Sequence, residues 1–350
     1  MKRCALLCLA VVACGLAAAP PAAGGAADRL DRFRTLATSR LTLADVGDPE
    51  RAGEAYREVL ALLDDEIVES LVSGGPFASA AFLQDRLDGF SEAWGGASLR
   101  LTRVGPFTVG AFQLGESPGG SAVHVYGTPR GGEPQLLSAF AREGRPTVHV
   151  LSPASGGAAR FAVVWEGVPS GRGTRAVRVD LVRQVGDDVT VTWSTAQVYP
   201  DGLVARAWRL RGDEMYVRYE LRYPGWIPGC EGQTEQEDVL RLGADGTGFT
   251  RVTRRQHDAW HHALHRSVER LFEALSTGDR AALAAVVPDA ALRQRLPAGL
   301  AREDACDAPD GPGPAAVSVA ASAGEGGPWT LTFRRSGGEW RLDAVAPVLP

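Results

Sequence analysis

The chain has 350 residues, with 42 acidic and 37 basic side chains and a formal net charge of −5 at pH 7. This length suffices for two or three domains with hydrophobic cores of ordinary size. The negative balance argues against a nucleic-acid partner, because binding to phosphates requires clustered positive charge.

Residues 1–27 predict an export signal followed by a tether. A short basic start precedes an apolar run over residues 5–19, which is too short for a spanning helix. Residues 11–14 resemble the cleavage box of bacterial lipoproteins, with a small residue directly before Cys14. We therefore expect lipid on Cys14 and a membrane-anchored protein in the periplasm or outer envelope. Ordinary cleavage after Ala27, which would release a secreted protein, is the alternative.

Residues 28–96 predict a helical hairpin. Apolar residues recur at helical spacing over residues 52–71, after the typical helix start Asp48-Pro49 and before the stop signal at residues 74–76. A second apolar stripe is formed by Leu83, Leu87, Phe90 and Trp94. Both stripes indicate packing faces of two antiparallel helices rather than a cofactor site.

Residues 97–255 predict an antiparallel all-β domain. Between Met215 and Tyr223 apolar residues alternate with charged ones, which is typical of a strand with one buried face. Gly212-Asp213 and residues 186–188 are typical of tight turns between such strands. About ten to twelve short strands fit a sandwich, an irregular barrel or part of a propeller, and the pattern leaves these three open.

Residues 256–350 return to helices and then to strands, so the whole chain is expected to be a multidomain α+β protein. Apolar residues from Trp260 to Leu275 follow helical spacing. Gly278 is typical of the end of this helix, and Asp279 is typical of the cap of the next one.

This order of elements resembles the NTF2-like superfamily of cone-shaped α+β domains. The resemblance lies in the segment Leu275–Asp279 between the helices and in the final strand Gly338–Leu342, and it covers about residues 256–350. It implies a curved sheet wrapped by helices around a pocket, and it carries over no catalytic residue. The Gly/Pro-rich stretch from Leu300 to Pro314 departs from the family pattern.

The segment from His257 to His265 contains four of the six histidines. On a helix, His257, His261 and His265 lie four residues apart on one stripe, where two imidazoles can share a metal ion. A third ligand is not evident, and the glutamate that an HExxH protease needs is missing. We therefore expect a packed or solvated helix face with no metal or other cofactor, and these three histidines are the candidate ligands otherwise.

Cys230 and Cys306 are the only cysteines that remain beside Cys14 after removal of the signal. In an oxidising compartment they predict one disulfide that clamps the β-rich region to the C-terminal domain, and two buried free thiols are the alternative. The acidic residues near them lack a calcium-loop pattern, and we expect them in solvated loops. These residues are Glu231, Glu235, Glu237, Asp238, Asp304, Asp307 and Asp310.

Two short motifs are expected to carry no function. Residues 115–119 match the elbow of serine hydrolases, but Pro118 has no N–H to donate to an oxyanion beside Ser117. Arg211-Gly212-Asp213 falls in a predicted hairpin turn, so we expect a turn rather than an adhesive site.

These features favour an exported envelope protein with a lipid anchor and a noncatalytic role in binding or scaffolding, with an envelope protein or a small ligand as partner. One alternative is a hydrolase or isomerase that uses an NTF2-like pocket with His257 or His261 as the base. Another is a metal-binding protein that uses the histidine stripe. A deep pocket with a carboxylate partner would favour the enzyme, whereas an open, flat or loop-filled C-terminal sheet would favour the binding protein.

Overall fold

The computed structural model describes residues 26–44, 49–116, 119–153, 157–324 and 327–348. Three sequence features lie outside these residues: the lipidation candidate Cys14, the helix cap Asp48 and the rejected nucleophile Ser117.

The described residues form six α-helices and seventeen β-strands. The helices are α1 (Ala26–Ala44), α2 (Pro49–Ser73), α3 (Ala80–Trp94), α4 (Ala259–Thr277), α5 (Arg280–Val286) and α6 (Ala290–Gln294). The strands are β1 (Ser98–Val104), β2 (Phe107–Gln113), β3 (Ser121–Gly127), β4 (Gln135–Ala141), β5 (Arg145–Val150), β6 (Arg160–Glu166), β7 (Arg175–Val185), β8 (Asp188–Ser194), β9 (Val204–Arg211), β10 (Glu214–Glu220), β11 (Glu235–Leu242), β12 (Phe249–His257), β13 (Leu300–Arg302), β14 (Ala308–Pro309), β15 (Ala316–Ala323), β16 (Pro328–Ser336) and β17 (Glu339–Pro347).

The strands form three antiparallel sheets. The first has the order β1-β2-β3-β4, and the second has the order β12-β11-β10-β9-β7-β6-β5 with β8 paired to β7. The third has the order β13-β15-β16-β17 with β14 paired to β15. The predicted mixture of helices and antiparallel strands, rich in β-structure, is therefore confirmed.

The three N-terminal helices pack together on one face of the first sheet. Helix α3 buries the predicted stripe, which ends at Trp94. Helix α1 adds Phe33, whose ring centroid lies 4.8 Å from that of Phe90 and 5.4 Å from that of Trp94. The indole Nε1 of Trp94 donates to the carbonyl oxygen of Leu114 at 2.6 Å and ties α3 to the end of β2. The helices are a group of three rather than a hairpin, because α1 supplies a further apolar face.

The other face of the first sheet packs against the second sheet. Val109 and Val125 share a hydrophobic core with Phe161, Val163 and Trp165 of β6. Two antiparallel sheets packed face to face make a sandwich, so this packing selects among the three architectures that the strand pattern leaves open.

The second sheet also has a core on the face of β6 that is turned away from the first sheet. Ala162 and Val164 of β6 point away from the first sheet and join a core that contains Met215 of β10 and Leu240 of β11. Strand β6 is therefore buried on both faces, which explains why its sequence is a continuous apolar run rather than an alternating one.

The C-terminal region packs α4 on the third sheet. Leu264, Val268 and Leu271 of α4 share a core with Leu331 and Phe333 of β16. As predicted, α4 ends at a left-handed glycine and the next helix has an aspartate cap. Gly278 has φ 72° and ψ 18°, and the Asp279 carboxylate accepts the backbone N–H groups of Ala281 and Ala282.

A disulfide joins the β10–β11 loop to the segment between β13 and β14. It links Cys230 to Cys306 across a Cα–Cα distance of 5.4 Å, so the predicted pairing is confirmed. Among the described residues, none of the helices has both the length and the apolar character that crossing a membrane requires.

Candidate functional site

Helix α4 places two of the three candidate histidines side by side. His261 and His265 lie one turn apart on the helix face that looks toward the disulfide-linked segment, and their ring centroids are 4.5 Å apart. Both residues are buried, with 3% and 2% of their surface exposed. Two imidazoles withdrawn from water on one helix face need polar partners from elsewhere in the chain.

His257 is not on this helix. It is the last residue of β12, opposite Glu235 of β11, and its Nε2 lies 2.8 Å from Oε2 of Glu237. Asp258 then adopts a left-handed conformation with φ 50° and ψ 39°, and α4 begins at Ala259. The prediction of a stripe of three histidines is therefore wrong for His257, because strand pairing continues up to it.

Asp307 supplies the polar partner of both buried histidines. Its Oδ2 lies 2.9 Å from Nε2 of His261 and 2.5 Å from Nε2 of His265, and its side chain is 4% exposed. One ligand atom from each of these three residues lies within 4.8 Å of the other two. The prediction that Asp307 lies in a solvated loop is wrong, whereas Asp304 and Asp310 are exposed as predicted. We call His261, His265 and Asp307 the His–Asp cluster.

The β10–β11 loop covers the other side of the cluster. Tyr223 Oη lies 2.6 Å from Nδ1 of His261 and accepts the backbone N–H of Thr234 at 3.1 Å. Thr234 Oγ1 accepts the backbone N–H of His262 and donates to the carbonyl oxygen of Asp258. These bonds hold Tyr223 against the first turn of α4, so the orientation of the His261 ring is set by a second layer of contacts.

A glycine in the same loop allows the backbone to approach the cluster closely. Gly225 has φ +95°, and a Cβ atom there would lie 2.0 Å from Nδ1 of His265. Such a contact is impossible, so any other residue would displace either the loop or the imidazole. The Nδ1 atom of His265 is itself buried without a hydrogen-bond partner among the described residues.

The charges of the cluster follow from burial and hydrogen bonding. Burial lowers the pKa of His265, although Asp307 acts in the opposite direction. Burial by itself would raise the pKa of Asp307, but its hydrogen bonds with His261 and His265 hold the pKa below the usual value. At neutral pH the cluster therefore contains a buried carboxylate and a neutral His265.

A cavity lies along another face of α4, and we call it the α4 groove. It has a volume of about 1080 Å³ and runs between the outer face of α4, strand β13 and the β16–β17 turn. Its charged lining residues are Arg266, Glu269, Arg270, Glu273, Arg302 and Glu339. Phe272, Leu300 and Trp340 supply apolar surface. None of the three residues of the His–Asp cluster lines this groove.

A smaller cavity of about 420 Å³ lies beside the disulfide. Arg206 and Arg218 line it and both pair with Glu235, while Arg172 donates to the carbonyl oxygen of Cys230 at 3.1 Å. Because the carboxylates of Glu220, Glu231, Glu235 and Asp258 line the same cavity, the charges of the three arginines are balanced within it.

The acidic run after Cys230 is also more buried than predicted. Glu235 and Asp238 lie on β11, where Glu235 is 9% exposed and Asp238 is fully buried, so the solvated-loop prediction is wrong for both. Glu231 is exposed, as predicted. The Arg211-Gly212-Asp213 motif forms the β9–β10 turn, which agrees with its interpretation as turn chemistry.

The sequence misses Asp307 and Tyr223 as neighbours of the histidines. Asp307 is 42 residues from His265 along the chain, and Tyr223 is 38 residues from His261. The one signal that pointed to this place was the pair of cysteines, because Cys306 is adjacent to Asp307 and its partner Cys230 lies in the same loop as Tyr223.

No protein-family model matches this chain, and a search of curated proteins finds no match either.

Proposed function

We propose that this chain is an exported envelope protein, anchored by lipid on Cys14, that binds a segment of another envelope protein in the α4 groove without catalysing a reaction. The signal pattern of residues 1–27 and the disulfide support export, because disulfides persist in oxidising compartments. The packing of α4 on an antiparallel sheet supports an NTF2-like assignment for residues 256–350.

The observation that carries the proposal is the separation of the buried His–Asp cluster from the accessible α4 groove. His261 has a carboxylate partner in Asp307, as a general base would need, but it is buried beneath Tyr223 and does not line the α4 groove. The groove itself is lined by arginines and glutamates, with no histidine or cysteine among its lining residues. The two serines that line the groove, Ser267 and Ser276, therefore have no lining histidine to act as their base, which fits binding rather than catalysis.

The interior of the C-terminal region supports the same conclusion. An NTF2-like enzyme would need a deep pocket between the helices and the sheet. Here that space is occupied by side chains of both layers, with Leu264 and Val268 of α4 against Val319, Leu331 and Phe333 of the sheet, all 2% exposed or less. The α4 groove and a cavity of about 400 Å³ between α4 and residues 293–300 lie outside this packed interior.

The shape and charge of the groove favour a polypeptide ligand. Sites for small molecules usually enclose most of the ligand surface, which an open groove does not do. Arg266 and Arg270 alternate with Glu269 and Glu273 along the exposed side of α4, so the groove can pair with both charges of an extended segment. Strand β13, which ends the third sheet, borders the groove and offers backbone groups for strand pairing.

Site-specific photo-cross-linking in intact cells tests this proposal. A photoreactive residue at Arg270 or Glu273 should give a discrete adduct with another envelope protein. The same photoreactive group in place of Arg334 is the control. Arg334 is exposed on β16 of the third sheet and does not line the α4 groove, so this position should give no adduct. Substitution of Glu269 by Arg should reduce adduct formation from Glu273. The proposal is wrong if adducts form equally from all three positions or from none, or if the chain is recovered without lipid in the cytoplasm.

A further inference from the structure

We propose that the His–Asp cluster binds one divalent transition-metal ion of the zinc type, through Nε2 of His261, Nε2 of His265 and Oδ2 of Asp307. A water molecule completes the coordination. This inference is independent of the function proposed for the α4 groove, because the two sites share no residue.

The ligand atoms of all three side chains must shift to accept the ion. Zinc lies about 2.0–2.2 Å from histidine nitrogen and carboxylate oxygen, so neighbouring ligand atoms of a tetrahedral site are about 3.3 Å apart. The two distances from Asp307 Oδ2 to the imidazoles are 2.9 Å and 2.5 Å. Asp307 precedes the two-residue strand β14 and can move away from the imidazoles with its loop. The ligand atoms of the two histidines lie within 4.8 Å of each other, so the rings must also rotate towards each other to bind one ion.

Two charged groups act on the site: Asp307 favours a cation there, and the guanidinium of Arg302, which lies close to Nδ1 of His265, opposes it. Asp307 brings a negative charge into a space where its side chain is 4% exposed, and its two ion-pair partners among the described residues are His261 and His265. A buried carboxylate needs compensating positive charge as well as hydrogen bonds. A divalent ion between the three side chains supplies that charge where the ligand atoms already converge.

The contacts around His261 are those that a metal-binding histidine requires, whereas Nδ1 of His265 has no hydrogen-bond partner among the described residues. A ligand imidazole usually donates its second N–H to a neighbouring acceptor, which fixes the tautomer and the ring orientation. With the ion on Nε2 of His261, the Nδ1–H group donates to Tyr223 Oη, and the hydroxyl oxygen has a second lone pair for the N–H of Thr234. The disulfide holds Cys306, the residue before Asp307, against the same loop.

The ligand set selects the class of ion. Two imidazoles and one carboxylate suit zinc and its first-row neighbours, whereas magnesium and calcium prefer sites made of oxygen atoms. The sequence predicts no metal because it shows no third ligand near the two histidines. Asp307 is that ligand, so the cluster now has the three protein ligands of an open zinc site.

Metal titration of the mature, disulfide-bonded protein tests the proposal. After removal of metal with a chelator, zinc is added in competition with a chromophoric chelator, and we expect one equivalent per chain. Tyr223→Phe should weaken binding by about 10- to 100-fold, the usual effect of removing a contact behind a ligand. His265→Ala and Asp307→Asn should each weaken it by more than that. His257→Ala is the matched control, because this histidine pairs with Glu237 outside the cluster, and its binding should equal that of the unmodified protein.

Cobalt substitution decides the question if a variant fails to fold. Co²⁺ bound to the unmodified protein should show the intense visible bands of a four- or five-coordinate site with nitrogen and oxygen ligands. The weak spectrum of hydrated Co²⁺, less than stoichiometric zinc, or zinc binding that persists in folded Asp307→Asn and His265→Ala would overturn the proposal. The cluster would then be a hydrogen-bonded lock only.

Discussion

Asp238 is the residue whose removal should destabilise the β-rich region most clearly. It is fully buried on β11 and accepts hydrogen bonds from Tyr199 Oη and Tyr219 Oη, each at 3.0 Å. Arg251 lies 3.0 Å from its Oδ2, and Arg254 donates to its Oδ1 at 3.1 Å. Burial, with Asp238 as the next influence, raises the pKa of Tyr219 to about 12, so this tyrosine stays a donor at neutral pH. Asp238→Ala therefore removes the common partner of two buried hydroxyls and two cations.

The size of the expected loss in unfolding free energy depends on which partners of Asp238 water can reach. Loss of one partner from a buried ion pair costs about 3 to 5 kcal/mol. The side chains of Arg251 and Arg254 are 32% and 46% exposed, so water can replace much of what they lose. The main loss is the Tyr199 hydroxyl, at about 1 to 3 kcal/mol when left without a partner, because the side-chain amide of Gln236 still contacts the Tyr219 hydroxyl. We expect Asp238→Ala to lower the free energy of unfolding by about 3 kcal/mol.

Urea denaturation followed by tryptophan fluorescence and circular dichroism measures this effect. Asp238→Asn keeps an acceptor oxygen for the hydroxyls and should lose less than Asp238→Ala. Glu214→Ala is the matched control on the neighbouring strand, because its ion pair with Arg241 is exposed and should contribute less than about 1 kcal/mol. The reasoning is refuted if Asp238→Ala costs no more than Glu214→Ala.

Three further predictions concern the disulfide, the cluster and the anchor. Replacing Cys230 and Cys306 together by Ser should lower the free energy of unfolding by up to about 4 to 5 kcal/mol and weaken zinc binding. An unchanged denaturation curve would contradict the idea that this disulfide clamps the two regions together. Gly225→Ala should abolish stoichiometric zinc binding, because the new Cβ would lie 2.0 Å from Nδ1 of His265. Normal zinc binding by this variant would show that the loop backbone does not lie so close to the imidazole. Cys14→Ala should accumulate as unprocessed precursor in membrane fractionation and mass spectrometry, whereas an unmodified mature N-terminus beyond Cys14 in the natural protein would reject lipidation.

Local patterns in the sequence determined the secondary elements. The apolar stripe that ends at Trp94 is α3, the alternation after Met215 lies on β10, and Gly212-Asp213 turns β9 into β10. The disulfide could be predicted because few cysteines leave few pairings. In each case the signal lies within one helix, one strand, one turn or one residue type, so it can be read without knowledge of the path of the chain.

The tertiary structure alone decided which polar residues are buried and which strands are buried on both faces. His257 has helical spacing to its neighbours, but pairing with β11 holds it in a strand. Asp238 and Asp307 belong to acidic runs that are typical of solvated loops, and partners 13 to 46 residues away bury them. The burial of a charged side chain depends on the groups that meet it in space, and no periodicity along the chain records that meeting. The His–Asp cluster therefore exists only in the folded protein, where α4, the disulfide and the Tyr223 loop converge.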